Sequence, residues 1–210
     1  MYDLPISVEI NNHHFAITNK GDYRMVIDCF LALDDAEMEE EDRIAAALLI
    51  FYEDLNDLED IQEVFGDDVG EACKEMYNFF NCGQPSVGYN AGRKLIDWEQ
   101  DEQLISAAVN NVAGKEIRFE PYIHWWTFMG YYISVGESVL STVVGIRDKI
   151  MKGKKLEKFE QQYQKDNPQY FVWKRKTVEE QQLDDYVREL WKSNSEQKVG
   201  EVEDVGSISP

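Results

Sequence analysis

Between Glu120 and Arg147 the chain carries a single formal charge, Glu137, across 26 residues. The same stretch holds Tyr122, Trp125, Trp126, Phe128, Tyr131 and Tyr132. A run so poor in charge must be covered by the rest of the chain, by a membrane or by a partner. A membrane fits poorly. His124, Ser134, Ser138, Ser141 and Thr142 interrupt the run, and its unbroken apolar part is shorter than the roughly 20 residues a bilayer requires. Gly130 and Gly136 mark a natural break between two shorter helices. At 100° per residue the six aromatics cover more than one face. A surface helix needs only one apolar stripe, so this element is either central in a bundle or shared with a partner. Trp and Tyr are enriched at interaction hot spots, which makes the six aromatics candidate partner-binding residues.

The rest of the chain supplies the bundle. Ile6–Ile10 and His14–Ile17 alternate apolar with polar or small residues around Asn11-Asn12-His13, a β-hairpin pattern over 4–18. From Gly21 the period changes from two to 3.6, with Tyr23, Val26, Ile27, Phe30 and Leu31 at helical spacing behind Asp22 as N-cap. Acidic helices follow to residue 80, the third running from about Asp60 to Phe80 with a break near Gly66 or Gly70. A breaker cluster then spans Asn81–Gly88. Helical patterns return at about 97–113, 120–135, 137–152 and 155–166. Pro121 sits in the first turn of the second, Gly153 ends the third and Asn167-Pro168 the fourth. A terminal amphipathic helix is expected over 177–192 and a disordered tail over 193–210. The expected fold is mainly α, a helical bundle with a short N-terminal β-hairpin (α+β in the strict sense), forming one domain over 1–192.

Charge limits the partners. Net charge is −20. Residues 1–110 carry 25 acids against 6 bases, and residues 111–210 carry 16 against 15. Such a chain repels nucleic acid and anionic membrane and favours basic partners, or head-to-tail pairing between copies. Glu39, Glu40, Glu41 and Asp42 form a candidate acidic surface, placed where carboxylates suit a helix N-terminus. Arg147, Lys149, Lys152, Lys154, Lys155 and Lys158 form a local basic run, too small for a nucleic-acid footprint. It reads as a helix face satisfied by the acidic half or by a protein partner.

Catalytic and metal chemistry finds no assembled motif. Cys29, Cys73 and Cys82 make no Cys-x-x-Cys pair and leave an odd thiol, which fits a reducing cytoplasm. His13 and His14 are adjacent on a strand or turn and point to opposite faces. His124 reads as a hydrogen-bonded core or interface histidine. The acidic runs lack the glycine and spacing of a calcium loop. No phosphate-binding, dinucleotide-binding or nucleophile-elbow motif is present. No cofactor, metal or catalytic residue is expected, and no signal peptide is visible.

The block from Asp97 to Asn167, with LISAAVNNVAGKEIRFEPYIHWWTFMGYY and GESVLSTVVGIRDKIMKGKKLEKFEQQYQKDNP, resembles the bacteriophage gene product fifteen family of siphophages and prophages of Gram-positive hosts. The hairpin followed by GDYRMVIDCF is similar to it as well, so the likeness covers residues 2–192. The resemblance implies a tail assembly chaperone working in the host bacterial cytoplasm. It would coat and solubilise the tape-measure protein, help recruit tail-tube protein, and be absent from the finished virion. That role carries no catalytic residues. A structural virion protein, such as a tail-completion or connector protein, is the alternative; a regulatory or nucleic-acid-interacting phage protein would need a basic surface that the composition scarcely allows.

Overall fold

The structure is a computed structural model that describes residues 3–84 and 94–174. The expected terminal helix (177–192) and disordered tail (193–210) lie outside the described residues. A hairpin comes first, β1 (Ser7–Ile10) paired antiparallel with β2 (His13–Ala16). The intervening Asn11 and Asn12 both take positive φ, 51° and 64°, the geometry a two-residue hairpin turn requires and asparagine tolerates. The β2 end is tied to the helices through Ile17, which bridges to Tyr52.

Helix α1 (Tyr23–Leu33) starts where the period changes, and the Asp22 carboxylate accepts the Arg24 N–H as its cap. Helix α2 (Glu40–Phe51) opens on Glu40, Glu41 and Asp42. Their carboxylates favour the positive end of the helix dipole. The next helical stretch divides as its glycines foretell. Asp57 caps α3 (Leu58–Val64), the chain turns through Gly66 at φ 51°, and α4 (Val69–Phe80) follows.

Two expected starts move. The helix expected from 97 begins later, as α5 (Glu102–Ala113). Asp97 instead folds back on its own backbone, its carboxylate accepting the Glu99 and Gln100 N–H groups, an Asp turn that competes with helix. The helix expected from 120 begins as α6 at Trp125 and ends at Ile133, so Pro121 precedes it rather than occupying its first turn. The backbone before it is engaged elsewhere: the Ile123 N–H donates to Asp22 Oδ2, and the Ile123 carbonyl accepts from the Tyr23 N–H. His124 Nδ1 then caps the helix by accepting the Trp126 N–H. Helix α7 (Val139–Met151) carries a Ser138–Ser141 capping box, and α8 (Lys158–Asp166) ends before Asn167-Pro168.

Helix α1 packs against α2 and α6, α2 against α3 and α4, and α5 against α6 and α7, while β1 lies on α4. The core runs through these contacts, with Ile17, Val26, Phe51, Tyr52, Met76 and Trp125 among its most buried members. Gly21 is fixed by one close approach. It holds φ at 74°, and a Cβ there would lie 2.6 Å from the Phe79 ring, so any side chain would clash.

Candidate functional site

The six aromatics divide between interior and surface. Trp125 and Phe128 are each 1% exposed. Trp126, Tyr131 and Tyr132 are half-buried, and Tyr122 is 44% exposed with its hydroxyl donating to the Lys20 carbonyl. Phe128 stacks on Tyr23 with centroids 4.6 Å apart, and Trp98 packs against Trp125, Phe128 and Tyr132. Helix α6 is therefore a junction rather than an exposed aromatic belt.

The two indoles explain why adjacent tryptophans suit one helix. Trp125 Nε1 donates to the Phe80 carbonyl and Trp126 Nε1 to the Phe79 carbonyl, both at 2.9 Å. These carbonyls lie at the C-terminus of α4, where a helix leaves acceptors without intrahelical partners. The pair thus clamps the end of α4. His124 is a satisfied core histidine: its Nε2 lies 2.9 Å from the Pro5 carbonyl, while Nδ1 accepts from Trp126. Those bonds require a neutral ring protonated on Nε2, and burial lowers its pKa.

Glu39, Glu40, Glu41 and Asp42 are all exposed at the start of α2, on a different element from the aromatics. Behind them the Arg43 Nη1 donates to the Leu33 carbonyl at 3.2 Å.

Sequence reasoning placed Arg147 on a basic helix face satisfied by the acidic half or by a partner, and the structure buries it against Asp101 of that acidic half. Its side chain is 4% exposed and that of Asp101 is 0% exposed. The guanidinium makes five hydrogen bonds: two to the Asp101 carboxylate at 2.6 and 2.9 Å, one to the Leu95 carbonyl and two to the Tyr170 carbonyl. These employ every donor an arginine has. The Trp173 ring lies over the guanidinium at 4.2 Å. The Asp101 carboxylate also accepts the Asp97 N–H. Lys94 bridges Asp97 and Asp34 at 3.0 Å each. Burial raises the Asp97 pKa, but the Gln100 N–H and the Lys94 ammonium outweigh it and hold the carboxyl below its usual range. This clip joins α5, α7 and the 168–174 segment.

The apolar surface lies elsewhere. A groove of about 380 Å³ runs between α5 and the α6–α7 turn, lined by Leu104, Ala107, Val112, Val135, Val139 and Leu140. Val139 is 51% exposed, and Ile133 just before the groove is 75% exposed. Among the described residues Glu137 is its only ionisable lining residue. Among the described residues no group of His, Cys, Asp and Glu is arranged to hold a metal ion. Among the same residues, no helix is long and apolar enough to cross a membrane.

The comparison with curated proteins and that with solved structures returned no match. The family model described as Bacteriophage Gp15 protein matches residues 1–171. Because that match covers well over half of the chain, from the hairpin through the last described helix, the chain belongs to the Bacteriophage Gp15 family and is a structural or assembly-related phage protein.

Proposed function

We propose that the protein is a tail assembly chaperone: a binding protein, not an enzyme, that keeps the phage tape-measure protein soluble and helps recruit tail-tube subunits in the host cytoplasm. The groove between α5 and the α6–α7 turn carries this reading. It offers exposed Val139 in a nearly uncharged lining, with exposed Ile133 just before it in the chain, on a chain whose net charge is −20. An apolar helix of the tape measure gains affinity by burying apolar surface there, at about 25 cal/mol per Å². The acidic remainder of the molecule keeps the complex dispersed and speeds encounter with basic segments. Trp125 and Phe128 serve this function indirectly, by holding α6 so that the following turn has a fixed shape.

Co-expression tests the proposal. A tape-measure fragment that pellets alone is expected to move into the supernatant with this protein and to co-purify at moderate salt, because apolar burial is little screened. An insoluble fragment, together with this protein at fixed copy number in purified virions, would instead establish a structural virion component such as a tail-completion protein.

A further inference from the structure

The α7–α8 corner is a local exception on an acidic molecule. Acids outnumber bases 41 to 21 in this chain, so a lysine has carboxylates in plenty to pair with. Lys149 pairs with Glu160 and Lys152 with Asp148. Lys154, Lys155 and Lys158 are exposed and make no ion pair among the described residues. Ile150, Met151 and Phe159 stand with them, at 42%, 39% and 60% exposure. The 2.6 Å Lys149–Glu160 contact ties the last turn of α7 to the first turn of α8, so lysines and apolar residues share one braced corner.

The α1–α2 corner has the opposite charge. Glu37, Glu39, Glu40, Glu41 and Asp42 are exposed and likewise without ion pairs among the described residues. Among the described residues no ion pair joins this corner to the lysine corner within one copy.

We propose that the α7–α8 corner of one molecule docks the α1–α2 corner of a second copy, joining copies head to tail. Such a contact is heterologous: it leaves a free corner at each end, so copies continue into a ring or an open filament. Lysine–carboxylate pairs fix orientation and accelerate encounter, while Ile150, Met151 and Phe159 supply apolar area that exposed charge pairs alone lack. A nucleic acid is the weaker occupant. Three lysines give few phosphate contacts, and a polyphosphate offers no apolar surface to cover Ile150, Met151 and Phe159. The inference does not rest on the tape-measure reading.

Sedimentation velocity on the full chain tests it. In about 0.01 M salt, where screening reaches only beyond about 30 Å, the sedimentation coefficient is expected to rise with concentration; at about 1 M salt it should not. Lys154→Glu/Lys155→Glu/Lys158→Glu makes both corners acidic, and Glu39→Lys/Glu40→Lys/Glu41→Lys makes both basic. Each variant alone should sediment as a monomer, and an equal mixture should regain association. If a triple variant loses its fold, Lys154→Gln/Lys155→Gln takes its place and should weaken association about twofold or more. Unchanged self-association in the variants, or a mixture that stays monomeric, overturns the proposal. So does a labelled oligonucleotide that binds the parent and not the lysine variant while self-association is unaffected.

Discussion

Trp125 and Arg147 are buried almost equally, at 1% and 4% exposure, yet they hold their neighbourhoods by different physics. Trp125 sits among Phe30, Trp98 and Phe128, with centroid distances of 5.6 to 5.8 Å, and asks for one hydrogen bond, from its indole to the Phe80 carbonyl. Its contribution is transfer of a large apolar surface out of water, which depends little on any single neighbour. Arg147 brings a charge into the interior, and desolvating it is costly until each donor is satisfied. It therefore depends on Asp101, Leu95 and Tyr170 together. The aromatic junction is held by buried apolar area, whereas the clip is conditional on its charge and donors being matched.

The largest expected effects come from truncating either centre. Trp125→Ala should lower unfolding free energy by about 3–5 kcal/mol, as expected for removing a fully buried aromatic. Chemical denaturation of the parent and variant reads this directly. A loss near that of a surface substitution would mean the α6 junction is not the core. Arg147→Ala should cost about 3–5 kcal/mol at neutral pH, since it strands the Asp101 carboxylate without its counter-charge.

The two centres separate on double substitution. Arg147→Met/Asp101→Leu removes both charges together, and apolar replacements of a buried pair are often neutral or stabilising. It should recover most of the stability lost in Arg147→Ala, although the Leu95 and Tyr170 carbonyls lose their donor. Nothing comparable rescues Trp125→Ala, because its loss is a cavity rather than an unpaired charge. If the double variant is as unstable as the single one, the clip acts through its carbonyl contacts and not through charge balance.

A smaller effect follows from His124, which links the aromatic junction to the N-terminal hairpin. Its pKa is lowered from the ordinary 6.5, mainly by burial. The unfolded chain therefore takes up the proton first as pH falls. The stabilisation is complete above that ordinary value and is lost progressively as pH falls through it towards the depressed folded value. Protonation would also place a second donor at Nδ1 against the Trp126 N–H, which now donates to it. His124→Asn keeps a good N-cap and removes the titration. The parent's melting temperature should fall more than the variant's between about pH 7.5 and about pH 5.5. Equal falls would show that another group carries the acid sensitivity.

What the sequence disclosed follows the same division. The hairpin was legible because Asn11-Asn12 lies between alternating segments, and the α3–α4 break because Gly66 interrupts a helical pattern. The density of aromatics around Trp125 marked the bundle centre, because apolar burial leaves a local periodic trace. The clip left no such trace. Arg147 and Asp101 are separated by 46 positions, so the sequence could assign the basic run to the acidic half without saying which carboxylate meets which cation. Local periodicity cannot report a pairing of that kind. The late start of α6 was hidden for a related reason: the Ile123 backbone is taken by Asp22 and Tyr23, far back in the chain. The α5/α6–α7 groove was hidden too, since its lining comes from two helices and a turn whose individual patterns are ordinary.

The smallest effect on stability is expected at the groove, and it separates packing from function. Ile133 is 75% exposed at the end of α6, one turn and more beyond the buried Trp125 and Phe128. Replacing it with serine forfeits little core contact, and surface substitutions generally stay within about 0.5 kcal/mol. Ile133→Ser/Val139→Ser should therefore melt with the parent. The same pair removes two exposed apolar residues at and beside the groove, so its capacity to keep a tape-measure fragment in the supernatant should fall. Folding and solubilising activity then part company: Trp125→Ala weakens both, and the serine pair only the second. If the serine pair is as effective as the parent in that assay, the partner does not bind through this groove, and the binding surface must be sought elsewhere on the molecule.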